Sequence, residues 1–286
     1  MNLPLPRMKF LLLFPIALIL SAASCHKDAL FVNAEKHLNQ TYGSNERNKM
    51  DVYLPYHRDS TTGTVMLIHG GGWVAGDKSN WSPEIINSII QQGFAVSCIN
   101  YRYGCGDFHK QMEDIHLALD YLDANAQTWN TGSHKYGMAG ASAGGHLALL
   151  YAHAFDTAHV VKAVVSMVGP TDLTDSLFHT GADKYQLSYV LIQFLGDSIQ
   201  HNPQVYAFAS PLFHYSNVPS LFLHGLNDDL VPPAQGVRMC DTLRAHGIAT
   251  DTTMFGNAGH DLFGPKGINA VQILSETNLW FQTYMH

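Results

Sequence analysis

From Met50 onward, two patterns of apolar residues take turns along the chain. One is a short run of strand length. "MDVYLP" (50–55) alternates, and "TVMLIH" (64–69), "FAVSCIN" (94–100), "KYGMAG" (135–140), "VKAVVSMVG" (161–169), "PSLFLHG" (219–225) and "TDTTMFG" (250–256) follow it. A continuous apolar run such as "TVMLI" predicts a strand covered on both faces. The other pattern is helical. In "DIHLALDYLDAN" (114–125), Ile115, Ala118, Leu119 and Leu122 recur at i, i+3, i+4, i+7, which places them on one face. "PEIINSIIQQG" (83–93) opens on Pro83 and stops at Gly93. Helical stretches also follow from Ser142 to Phe155, from Ala234 to Gly247 and from Asn269 to Met285. Such alternation predicts an α/β fold, a mostly parallel sheet with helices on both faces. The pattern loosens only over residues 171–217. Insertions of this kind sit over the mouth of the site, so a small cap is expected there.

The first 25 residues depart from both patterns. Arg7 and Lys9 precede the apolar stretch Phe10–Leu20, and "SAASC" ends at Cys25. A basic start, a short apolar core and small residues form an export signal. The core, interrupted by Pro15, is short for a membrane span. "AASC" resembles a bacterial lipoprotein signal, which implies cleavage after residue 24 and a lipid on Cys25. The expected organisation is a signal over 1–24, a polar tether over 25–47 and one domain over 48–286. The expected location is the cell envelope, with membrane contact through the lipid. A secreted or periplasmic protein and an uncleaved anchor are the alternatives.

The 286 residues suffice for a large single core. Net charge is −7 and no basic block follows the first ten residues, which argues against nucleic acid as a partner. Cys98, Cys105 and Cys240 are too few for a disulfide framework, although Cys98 and Cys105 could pair. No spacing of Cys, His or carboxylates points to a metal.

The chemistry collects at predicted strand ends. "GASAG" (140–144) fits G-x-S-x-G between a strand and a helix, the setting of a nucleophile elbow presenting Ser142. "HGGGW" (69–73) follows the strand at 64–68. Consecutive glycines leave backbone N–H groups open to a developing oxyanion, so Gly71, Gly72 and the N–H of Ala143 are the candidate donors. Composition alone gives about 0.1 G-x-S-x-G but only about 0.01 "HGGG" per chain, so the glycine run is the more telling signal. Trp73 either walls a substrate pocket or packs beneath the loop. "GGGWVAGDKS" imitates a phosphate-binding loop, but Asp77 between Gly76 and Lys78 breaks the spacing and brings the wrong charge.

A serine hydroxyl needs a base, and the base needs a carboxylate. Among 17 histidines, His260 in "NAGHDLF" stands between the last strand and the last helix. His69, His146 and His224 are expected to be hydrogen-bonded structural residues. "LFLHGLNDDLVPP" offers Asp228 ahead of Asp229, and Asp172 in "GPTDL" is a third candidate whose alternative role is helix capping.

Taken together, "HGGGW", "GASAGG", "SPLFH", "HGLNDDLVP" and "AGHD" resemble the α/β-hydrolase superfamily, in its carboxylesterase branch related to bacterial feruloyl and acetyl-xylan esterases. The resemblance runs from about Asn48 to the end of the chain. It implies an eight-stranded sheet and no cofactor. It also implies Ser142 as nucleophile, Asp228 as acid, His260 as base, and the Gly71-Gly72 loop with Ala143 as oxyanion hole. The expected activity is serine ester hydrolysis through an acyl-enzyme, acting on an acylated carbohydrate bearing acetyl or feruloyl groups. A serine exopeptidase or amidase of the same fold, and a non-catalytic binding module, are the alternatives.

Overall fold

The computed structural model describes residues 34–179 and 187–286. The export signal, Cys25 and the start of the tether lie outside the described residues, as does 180–186 within the expected cap. Eight strands form one sheet in the order β1-β2-β4-β3-β5-β6-β7-β8. They are β1 (Ala34–Thr41), β2 (Lys49–Pro55), β3 (Thr64–Ile68), β4 (Ala95–Ile99), β5 (Tyr136–Ala141), β6 (Val161–Met167), β7 (Ser220–Gly225) and β8 (Thr250–Phe255). β1 and β2 pair antiparallel, as do β2 and β4, and all later neighbours are parallel. β3 and β4 are buried along their whole length, as their unbroken apolar runs require.

One correction concerns the tether. Residues 34–41 are a strand rather than a linker. "AEKHLNQT" alternates buried or half-buried positions with exposed ones, and it lies at the sheet edge. An edge strand with one wet face carries polar residues there, and this hides it among linker sequences.

Helices cover both faces. α1 (Pro83–Gln91) starts on Ser82, whose hydroxyl accepts from the Ile85 N–H, a cap contributing about 1 kcal/mol. Its buried Ile85, Ile86, Ile89 and Ile90 join Ile273 and Phe281 of the closing helix Ala270–Met285 on one face of the sheet. Each such burial contributes roughly 1.5–3 kcal/mol. On the other face lie α2 (His109–Trp129), α3 (Ala143–Leu150), α4 (Leu187–Leu195), α5 (Pro203–Phe208) and α6 (Ala234–Ala245), and the closing helix is α7. α3 ends in a wider turn at Tyr151–Phe155 rather than continuing as regular helix. Because β3 leads outward to β4 while β5 lies on its other side, the strand order reverses between β3 and β5. In such sheets, binding crevices form outside the carboxyl ends at that reversal.

Candidate active site

The site is built at that reversal. β5 runs into α3 through Ser142, which has φ +53° and ψ −120°, a conformation rarely tolerated by a side chain and costing about 1–3 kcal/mol. The turn closes only because its flanks are bare. A Cβ on Gly140 would lie 2.1 Å from the Gly144 carbonyl oxygen, and one on Gly144 would lie 2.0 Å from that of Ile68. The Ser142 N–H is anchored to the Met167 carbonyl of β6 at 2.7 Å. Ala143 opens α3, so its N–H has no acceptor within the helix.

Three chain segments then converge. Ser142 Oγ donates to His260 Nε2 at 2.9 Å, and His260 Nδ1–H donates to Asp228 Oδ2 at 2.9 Å. The carboxylate is buried, and its Oδ1 accepts from the N–H groups of Leu230 and Val231 at 3.0 and 2.9 Å. Burial alone would raise the Asp228 carboxyl. Hydrogen bonds from His224 and His260 outweigh it and hold the group well below the usual carboxylate range. Asp229 is exposed. Asp172 lies elsewhere, capping Thr174 and pairing with Arg238 at 3.3 Å.

The glycine loop after β3 stands opposite. Gly71 has φ +119° and Gly72 φ +58°. The Gly71 carbonyl takes the N–H groups of Val74 and Ala75, and a Cβ on Gly71 would lie 2.1 Å from the Ala75 oxygen. Gly72, Ser142 and Ala143 line an apolar cavity of about 20 Å³ together with Trp73, Pro170, Phe178, Leu187, Val190, Leu230 and Val231. Of the two candidate glycines, Gly72 is therefore the one on the cavity. Trp73 lies between the cavity and the core. It walls the cavity, and it is fully buried, stacked on Phe194 of α4 with ring centroids 4.7 Å apart. Its Nε1–H donates to His146 Nδ1 at 3.2 Å, while His146 Nε2–H donates to the Ala209 carbonyl at 2.7 Å. Burial pushes His146 down to about 4, so near neutral pH it keeps the bare nitrogen Trp73 needs. His69 is likewise pushed down to about 4 by burial, and its Nδ1–H donates to the Gly70 carbonyl at 2.7 Å.

The loop that imitates a phosphate-binding motif is occupied otherwise. Asp77 caps the short turn Lys78–Asn80 and accepts from the Asn100 amide, and Lys78 is buried against Asp51 at 2.7 Å. Cys98, Cys105 and Cys240 are all free thiols, so the pairing of Cys98 with Cys105 does not occur.

The BD-FAE family model matches residues 50–243, which includes the glycine loop, the elbow and Asp228. The chain belongs to the BD-FAE family. Among curated proteins, this BD-FAE chain is 26% identical over 241 residues to a probable isoprenylcysteine alpha-carbonyl methylesterase of Oryza sativa, covering 78% of this chain and 56% of that protein. It is 29% identical over 220 residues to LipM, a probable carboxylic ester hydrolase of Mycobacterium tuberculosis, covering 71% of this chain and 51% of LipM. The chain thus spans about half the length of the curated relatives it matches. Among solved structures, a bifunctional GH43-CE of Bacteroides eggerthii superposes with a TM-score of 0.74 at 23% identity, over 87% of this chain and 38% of that one. A truncated carbohydrate esterase from gut microbiota gives 0.70 at 21%, over 86% and 97%. These likenesses show the α/β-hydrolase fold.

Several residues that shape the site in this BD-FAE chain carry no local sequence signal. Arg47 stacks its guanidinium 3.6 Å from the Tyr103 ring and donates to the Tyr101 and Gly76 carbonyls at 2.8 and 3.3 Å. Tyr103 donates to the same Gly76 carbonyl. Gly76, at φ +101°, closes the glycine loop: a Cβ there would lie 2.2 Å from the Gly70 oxygen. Arg47 reaches the loop across 29 residues of chain, a separation that no periodicity reveals. Val190 and Phe194 read as ordinary apolar helix residues. Gly70, the first glycine of that run and not one of the expected donors, is also closely packed: a Cβ there would lie 2.8 Å from the Ala141 oxygen.

Proposed function

We propose that this protein is a serine carboxylic-ester hydrolase that removes acetyl groups from carbohydrate through an acyl-enzyme. The observation that carries the reading is the unbroken chain Ser142–His260–Asp228, at 2.9 and 2.9 Å, opening beside a small apolar cavity. His260 Nε2 takes the Ser142 proton as Oγ attacks the ester carbonyl. The N–H groups of Gly72 and Ala143 receive the oxyanion. Collapse expels the alcohol, which takes the proton from His260. A water then gives His260 its proton and attacks the acyl carbon, and Ser142 leaves with a proton returned.

The cavity lining includes both oxyanion donors but not His260. The leaving alcohol must meet His260, so the apolar cavity takes the acyl side and the alcohol exits on the side of His260. About 20 Å³ is little more than one water-sized body needs. That space suits a methyl group better than a feruloyl ring. This favours acetyl of the two acyl groups that the family resemblance suggested. The carbohydrate half of the reading is supported by the carbohydrate esterase among the structural neighbours.

The test is an ester panel. Acetyl esters should be turned over best, butyryl at least about tenfold more slowly, and octanoyl and feruloyl scarcely at all. Acetate release from an acetylated polysaccharide should accompany this. Feruloyl or octanoyl turnover equal to acetyl would overturn the acyl assignment, and faster cleavage of aminoacyl-nitroanilides would favour amide hydrolysis. We place the enzyme on the cell envelope through a lipid on Cys25, on the strength of Arg7, Lys9 and the apolar stretch behind them. Fatty-acid labelling of the full chain should vanish in Cys25→Ala. Label retained in that variant would refute the anchor.

A further inference from the structure

The carboxyl end of β7 holds a second imidazole that the mechanism above does not use. His224, in the last turn of β7, is buried at 2% exposure. Its Nε2–H lies 3.0 Å from the Val231 carbonyl oxygen and 3.1 Å from Asp228 Oδ2. A carbonyl only accepts, so the Val231 oxygen keeps the proton on Nε2. That N–H bonds the Val231 oxygen, and Oδ2, the same oxygen that receives His260, lies beside it at 3.1 Å as a second, less direct partner. Asp228 therefore accepts three hydrogen bonds and has a fourth N–H close by. Two backbone N–H groups hold Oδ1 and two imidazoles face Oδ2.

We propose that His224 is a positioning residue for the base: by sharing Asp228 Oδ2 it limits how strongly that oxygen holds His260, and so sets the pH range in which His260 works. The inference rests on the reading of Asp228 as the catalytic acid. Removing His224 does not release the carboxylate, because both bonds to Oδ1 remain. It leaves Oδ2 with one donor. An oxygen with one donor fewer is more basic and attracts the His260 imidazolium more strongly. The imidazolium then gives up its proton less readily, and the acid limb of the rate profile moves to higher pH. His224 and His260 both help to hold Asp228 ionised despite its burial. Among the described residues, the other groups around the pair offer no substitute donor. Asp229 and Asp261 flank the two loops and are exposed, α6 contributes the neutral Gln235 and Gly236, and the elbow contributes Ser142.

The test compares kcat/KM for an acetyl ester from about pH 5 to 9 in wild type, His224→Phe and His224→Gln, with a thermal melt of each. Phe keeps the bulk and deletes the donor. Gln places an amide N–H near the Nε2 position. In His224→Phe the acid limb should move up by about half to one pH unit, so that at about pH 6 activity falls roughly three- to tenfold while the alkaline plateau stays within about threefold. In His224→Gln the profile should return to that of wild type. If the Phe variant does not fold, His224→Asn, whose amide is too short to reach Oδ2, carries the same prediction. A donor-free variant whose acid limb coincides with wild type overturns the proposal. So does a Gln variant shifted as far as Phe. Either result, with Asp228→Ala inactive, leaves the catalytic reading standing and removes only this inference. Full turnover in Asp228→Ala would instead remove both.

Discussion

The cavity beside Ser142 has two walls of different origin. One is made of turns at strand ends: Gly72, Ser142, Ala143, Leu230 and Val231. Its geometry is backbone geometry, with φ of +58° at Gly72 and +53° at Ser142. The other comes from the stretch between β6 and β7, as Phe178, Leu187 and Val190. These residues are held by side-chain packing: Phe194 stacks on Trp73, and the Ala209 carbonyl takes the His146 N–H. The difference separates two jobs. Reacting groups must be fixed to a fraction of an ångström, and bare backbone in a strained turn does that. Selecting an acyl group needs only a boundary of the right shape, which ordinary apolar side chains supply.

The comparison can be broken at each wall. The largest effect belongs to the first. Ser142→Ala should lower kcat by at least roughly 10³-fold, or about 4 kcal/mol, while the melting temperature stays within a few degrees. Wild-type turnover by the purified variant would show that the turn wall does not hold the chemistry.

The link between the walls is next. His146 bonds Trp73 on one side and Ala209 on the other, and burial holds it at about 4 when folded against an ordinary value near 6.5. Its folded value is depressed, so the unfolded chain binds more protons below neutrality. Its contribution is complete above about pH 6.5 and is lost as pH falls toward 4, amounting to about 3 kcal/mol at most. His69 and His153 are also pushed down to about 4 by burial and act in the same direction. Melting temperature should therefore drop between pH 6.5 and 4, and less steeply in His146→Gln. A melting temperature that is flat across that interval would contradict the buried, neutral assignment.

Within the first wall, Gly144→Ala forces a Cβ to 2.0 Å from the Ile68 oxygen and should cost at least about 2 kcal/mol of stability, with activity falling alongside. Gly256, whose Cβ would meet nothing within 4 Å, provides the control, and Gly256→Ala should behave as wild type. Equal melting curves for the two variants would show that the elbow is not tightly closed. The smallest effect is expected at the second wall. Val190→Ala should raise the butyryl-to-acetyl ratio of kcat/KM about tenfold, close to 1.4 kcal/mol, with acetyl kcat within about threefold. An unchanged ratio would mean that Val190 does not bound the acyl group.

The two walls were also unequally legible in the sequence. Strands β3 to β7 appear as apolar runs because a sheet covered on both faces permits little else. The elbow and the glycine loop were visible for a related reason: only glycine fits at Gly140, Gly144 and Gly71, so the constraint is written in residue type. Chain order and strand-end context then pointed to Asp228 and His260. The second wall obeys no such rule. Val190 and Phe194 are interchangeable with other apolar residues in composition, and only packing gives them a place. Residues 34–41 were missed because a strand at the sheet edge need be apolar on one face only. The contact between His224 and Asp228 was within reach of the sequence. The two stand four residues apart at the end of a strand, where the chain turns back on itself.

The central claim is that Ser142 carries the acyl group between the two half-reactions. Its most direct test is to quench the enzyme during turnover of an activated acetyl ester and map the acyl adduct by peptide mass spectrometry. One acetyl group on the peptide containing Ser142, absent in Ser142→Ala, is the predicted result. Turnover with no adduct at Ser142, or with the acetyl group on another side chain, would contradict it.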